Sequence, residues 1–107
     1  MESIAYKAKD AFRGYKNNEI MSLSPVRLIL KVYDYILVNS RRHDSNNVNA
    51  GLTQLIAALN FDYKEVSLGL FNLYRYCQGE ATKGNFAEVE KVIGELRTAW
   101  AQAFKLS

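Results

Sequence analysis

The sequence predicts an all-α fold: an antiparallel up-and-down four-helix bundle with a short N-terminal arm packed on its surface. Three observations carry this expectation. Apolar residues recur at three- and four-residue spacing in successive stretches, the pattern of helices with one buried face. The single proline stands where one of those stretches begins, and no segment alternates apolar and polar residues with β-branched enrichment. With 107 residues and 49% hydrophobic content, the chain is long enough for one core and too short for two ordinary domains. We therefore expect one domain spanning 1–107, with an arm at 1–23 and a bundle at 24–107.

In the arm, Ile4, Ala8, Phe12 and Tyr15 repeat at helical spacing, but Gly14 and Asn17-Asn18 end that pattern early. The first bundle helix starts sharply at Ser24-Pro25. A serine side chain accepts from an early helical N–H, and proline at the first helical position loses only an N–H that had no partner. Val26, Ile29, Val32, Tyr33, Ile36 and Leu37 line its apolar face. The polar run Arg41 to Asn47 reads as a turn. Leu52, Leu55, Ile56 and Leu59 define a short next helix, weakened by Gly51. Asp62 is placed to cap a longer helix with the stripe Val66, Leu70, Leu73, Tyr74 and Cys77, continuing toward Ala81. Gly69 beside that stripe allows a close helix crossing, and Gly79 weakens the helix further on. Thr82-Lys83-Gly84 reads as a turn. Asn85 and Glu88 then have capping-box form before a stripe of Phe86, Val89, Val92, Ile93, Leu96, Trp100, Ala103 and Phe104.

Several of these segments match a known pattern in order. Tyr15, Asn18, Ser24-Pro25, Leu28-Ile29 and Tyr33-Asp34, then Leu59-Asn60-Phe61-Asp62, then Leu73-Tyr74-Arg75-Tyr76, then Glu88-Val89 with Glu95 to Trp100, together resemble the flagellar export chaperone FliS family. Val26-Arg27 stands where relatives carry two acidic residues, and the 40–47 connection is shorter than theirs. The resemblance implies a four-helix bundle that is not an enzyme. It implies a cytoplasmic chaperone for flagellin: it holds the disordered C-terminal segment of its client, prevents premature polymerisation and presents it to the export gate of the flagellar type III apparatus. It also implies an N-terminal lid, here Phe12 and Tyr15, over the client groove. Leu28, Ile29, Val32, Leu70, Leu73 and Tyr74 are the expected apolar contacts of that groove. Tyr35 and Tyr76, on flanking faces, join them because tyrosine suits a surface where an apolar body meets water.

The residues themselves offer little chemistry beyond binding. His43 is the single histidine, in a polar turn, and completes no metal site. Cys77, the single cysteine, falls on an apolar stripe, excludes an intrachain disulfide and reads as a structural thiol. Glycine-rich phosphate loops are missing, so neither catalysis nor a cofactor is expected. The N-terminus carries Glu2, Lys7, Lys9, Asp10 and Arg13 rather than an apolar signal, and Arg27, Lys31 and Asp34 break the most apolar stretch, far below the roughly 20 residues a bilayer needs. A cytoplasmic protein without membrane insertion, monomeric or weakly homodimeric, is the expectation. The net charge of +3 is uneven: residues 1–43 hold eight Lys/Arg against four Asp/Glu, and residues 44–107 six against seven. The basic half keeps a second function class open, a helical module binding nucleic acid or acting as an adaptor.

Overall fold

The computed structural model describes residues 25–105. They form four α-helices: α1 (Pro25–Arg41), α2 (Ser45–Ala57), α3 (Lys64–Thr82) and α4 (Phe86–Ala103). No strand occurs among the described residues. The expected Ser24 cap and the whole arm lie outside them. The helices pack as a bundle in which α1 contacts α2 and α4 while α3 contacts α2 and α4, so contacts close in a ring around one core. No described helix is long and apolar enough to cross a membrane.

The apolar stripes of all four helices build the core. Ile29, Tyr33 and Ile36 from α1 meet Val48, Leu52 and Leu55 from α2, with Leu70, Tyr74 and Cys77 from α3 and Val89, Ile93 and Trp100 from α4. At its centre the core is polar and satisfied. The indole N–H of Trp100 donates to the Tyr33 hydroxyl at 3.1 Å, and the Tyr33 and Tyr74 hydroxyls share a hydrogen bond of 2.8 Å. Three helices are thus linked through groups that would each be costly to bury alone. Near the end of α1 the buried Asn39 and Ser40 solve the same problem locally. Asn39 donates to the Tyr35 carbonyl and Ser40 to that of Ile36, each one helical turn back.

Two corners of the bundle are built alike. After α1, His43 takes a left-handed φ of 57°, the His43 N–H reaches the Ser40 carbonyl and the Asp44 N–H reaches that of Asn39. After α3, Gly84 takes φ 83°, with Gly84 N–H on the Ala81 carbonyl and Asn85 N–H on that of Glu80. Both are Schellman closures, which satisfy the last carbonyls of a helix and reverse the chain. At the first corner Asp44 immediately caps α2, its side chain accepting from the Asn47 N–H. The turn is therefore 42–44, and Ser45 to Asn47, expected in it, already belong to α2. The corners also touch, because the His43 ring stacks on Phe86 with centroids 5.0 Å apart.

Two expected caps are not formed. Tyr63, not Asp62, precedes α3 and makes no side-chain cap bond. Asn60 organises that connection instead: its side chain accepts from the Asp62 N–H at 2.9 Å, and its carbonyl accepts from the Ser67 hydroxyl at 2.7 Å. Asn85 does precede α4, but its amide donates to Glu80 at 2.7 Å, and Glu88 accepts from Tyr76 at 2.8 Å. Both members of the expected capping box thus tie α4 to α3, which satisfies them as well as a cap would.

The glycines also exchange roles. Gly69 has open space around it, so no described helix crosses closely there. Gly51, read as a weak point, is where α2 meets α1 most tightly: a Cβ there would stand 2.7 Å from Ile36 Cγ1 and 3.3 Å from the Tyr35 ring. Ile36 is fully buried and has little room to yield. Gly51→Ala is therefore expected to lose about 1 kcal/mol, overpacking outweighing the gain in helix propensity. Gly69→Ala, with the same propensity gain and no clash, should gain up to about 1 kcal/mol. Urea unfolding of the pair checks this, and a Gly51→Ala protein as stable as Gly69→Ala would remove the close approach.

Candidate functional site

Close approach at Gly51 leaves a shallow groove between α1 and α2. Lys31, Val32 and Tyr35 line its α1 side and Ala50, Gly51 and Gln54 its α2 side, around about 340 Å³. Leu28 lies one turn before Val32, so Leu28, Val32 and Tyr35 run along the same edge of α1, beside its core-facing stripe. Tyr35 is exposed, while Leu28 and Val32 are half-buried. Gln54 and Lys31 add an amide and an ammonium at the rim. Such a lining takes apolar side chains of a peptide and leaves polar partners for its backbone.

The eight residues expected on one groove divide three ways. Leu28, Val32 and Tyr35 come together on the α1 edge. Ile29, Leu70 and Tyr74 are in the core instead, each at most 2% exposed, because the stripe that reads as an apolar contact face is the one the bundle closes on. Leu73 and Tyr76 are exposed on the flank of α3 that turns toward α4, away from the α1–α2 groove. The Tyr76 hydroxyl donates to Glu88, and that hydrogen bond to a carboxylate pushes the phenol up to about 12. Phe12 and Tyr15 lie outside the described residues.

A second concavity, of about 610 Å³, follows the outer face of α4 along Lys91, Gly94, Glu95, Thr98, Ala99 and Gln102. Among its described lining residues no catalytic constellation is formed, and the Thr98 hydroxyl donates to the Gly94 carbonyl. No cluster of three or more His, Cys, Asp or Glu among the described residues could hold a metal ion. Cys77 is buried, and loss of solvent, followed by the charges of Glu88 and Glu80, raises its thiol to about 12, far from a reactive thiolate. His43 is exposed and stacked on Phe86.

Two ion pairs join α1 to α4. Arg97 donates through two nitrogens to Asp34, which raises its pKa further, and Arg41 approaches Glu90 at 3.6 Å. Beside the second corner, Glu80 accepts from Lys83 at 2.8 Å and from Asn85, and these bonds lower its pKa below the ordinary value. Sequence reasoning found the exposed tyrosines. It missed the groove's floor, whose signal is a glycine on the apolar face of α2, between Val48 and Leu52.

Comparison of the chain with protein-family models, with curated proteins and with solved structures finds no match.

Proposed function

We propose that this chain is a cytoplasmic export chaperone of the FliS kind, a binding protein rather than an enzyme. Its client is the disordered C-terminal segment of a flagellin, and its onward partner the flagellar export gate. The observation that carries the reading is the α1–α2 groove, where Val32 and Tyr35 present apolar surface from α1 beside a close helix contact. An amphipathic segment laid there gains roughly 25 cal/mol per Å² of apolar area and loses a few kcal/mol in becoming ordered. The FliS-like motifs on which the reading also rests include Leu28, which shares the α1 edge of Val32 and Tyr35 by its spacing.

The proposed architecture is a single-domain antiparallel up-and-down bundle with residues 1–23 as an arm, Phe12 and Tyr15 acting as its lid. Antiparallel order is supported by ion pairs: Asp34 with Arg97 and, further along α1, Arg41 with the earlier Glu90. Tyr76 with Glu88 and Asn49 with Thr82 fit the same order. The bundle works as a monomer or weak homodimer and inserts into no membrane.

Val32→Glu combined with Tyr35→Ala tests the site. Both positions are at least partly open, so the fold should persist, while calorimetry with a flagellin C-terminal peptide should show at least about tenfold weaker binding. Unchanged affinity in the folded variant would move the client off this groove. The basic N-terminal half favours one other reading, binding of nucleic acid. Affinity for a DNA or RNA oligonucleotide that falls steeply with salt, without any for the peptide, would select it.

A further inference from the structure

A different apolar surface lies where α2 passes into α3. Phe61 is 49% exposed and Leu68 46%, and Phe61 meets the half-buried Phe71 edge-on with ring centroids 6.3 Å apart. Leu68 and Phe71 belong to the flank of α3 that turns toward α2, the flank from which Gln78 reaches Thr53. The patch is therefore separate from the α1–α2 groove and from Leu73 and Tyr76. It is also rigid. Phe61 sits inside the connection that Asn60 fixes from both sides, through the Asp62 N–H and the Ser67 hydroxyl, and Phe71 packs against the core. Aromatic rings held in place before contact lose little freedom on binding.

Charge gives the patch a direction. Lys64, Leu68, Phe71 and Arg75 follow one another at spacings of four, three and four, so they share one stripe of α3. The stripe reads basic, apolar, apolar, basic. Among the described residues Arg75 donates to the neutral Gln78, and no carboxylate among them pairs with Arg75 or Lys64. Asp62 and Glu65, near Lys64 in sequence, make no ion pair with it. Two cations with no carboxylate partner among the described residues, about 16 Å apart at 1.5 Å per helical residue, thus bracket Leu68 and Phe71.

We propose that Leu68 and Phe71, bracketed by Lys64 and Arg75, form with the adjoining Phe61 a docking site for an acidic amphipathic helix of a partner protein. Its apolar face covers Phe61 and Leu68, and carboxylates about three turns apart meet Lys64 and Arg75. The site does not rest on the flagellin reading.

The test uses the full chain and a fluorescently labelled helical peptide carrying Glu at its first and twelfth positions with Leu and Phe between them. A second peptide has Lys at both ends. The acidic peptide should bind at least about tenfold more tightly than the basic one, and Phe61→Ser with Leu68→Ser should remove that binding. Both side chains are exposed, so the variant stays folded, which circular dichroism checks. Lys64→Glu with Arg75→Glu should invert the preference toward the basic peptide. Equal binding of the two peptides, none of either, or binding that survives the serine variant overturns the proposal. So does an unchanged peptide affinity accompanied by loss of self-association, which would make the patch a contact between copies of this chain. Binding of the flagellin peptide should be unchanged in the serine variant, so failure here and failure of the groove are separate results.

Discussion

Trp100→Ala is expected to cost about 3–5 kcal/mol, enough to bring a domain of this size close to unfolding. The indole is 1% exposed and is the largest of the fully buried side chains. It stacks on Phe104 at 6.0 Å, and its N–H donates to Tyr33, which in turn bonds Tyr74. Alanine removes the ring, leaves a cavity among α1, α3 and α4, and takes the donor from the Tyr33 hydroxyl. Trp100→Phe separates the contributions. It retains most of the packing, and the expected loss falls to about 1–2 kcal/mol, much of it the hydrogen bond. Urea unfolding with a common slope measures both variants. A loss under about 1 kcal/mol for alanine would mean that the indole does not organise the core.

The same residue shows what could be read before any coordinates. Trp100 falls in register with Val89, Ile93 and Leu96, so a 3.6-residue period suffices to bury it, and the other helices follow from the same rule. The period says nothing about what the hydroxyls and indole do once inside. That Tyr33, Tyr74 and Trp100 meet depends on three helices arriving together, which is tertiary information. Corners were half legible. Gly84 announces a left-handed residue, whereas His43 in the same conformation has a Cβ and reads as ordinary polar turn. Asn85 and Glu88 have the spacing of a capping box, yet both found partners on α3, because a cap competes with any other acceptor or donor in reach. The candidate groove was least legible. A stripe of apolar residues does not reveal which members the bundle covers, so Ile29, Leu70 and Tyr74 went to the core while Val32 and Tyr35 stayed at its edge. Gly51 decided that boundary by letting α2 close on Ile36.

The buried hydroxyls and thiol should make the fold sensitive to alkali. Burial raises the phenols of Tyr33 and Tyr74 above their ordinary value of 10.0, and raises the Cys77 thiol from 9.0 to about 12. Each group is neutral in the folded state. In the unfolded chain the thiol ionises near pH 9 and the phenols near pH 10, so across that window the unfolded state holds fewer protons than the folded one. Stability must then fall as pH rises, with no contribution from these groups below about pH 8. Each group contributes up to about 1.36 kcal/mol per pH unit, so the fall begins with the thiol and steepens as the phenols join it. Urea midpoints at successive pH values measure the fall. Cys77→Ala should flatten its first part and Tyr74→Phe its second, the latter leaving the Trp100 to Tyr33 hydrogen bond in place. Tyrosinate absorbance supplies an independent reading: the buried Tyr33 and Tyr74 should ionise only as the helical signal is lost. If the absorbance difference between wild type and Tyr74→Phe shows Tyr74 ionised while the protein stays folded at pH 11, that hydroxyl is open to water and the hydrogen-bonded centre of this core is wrong.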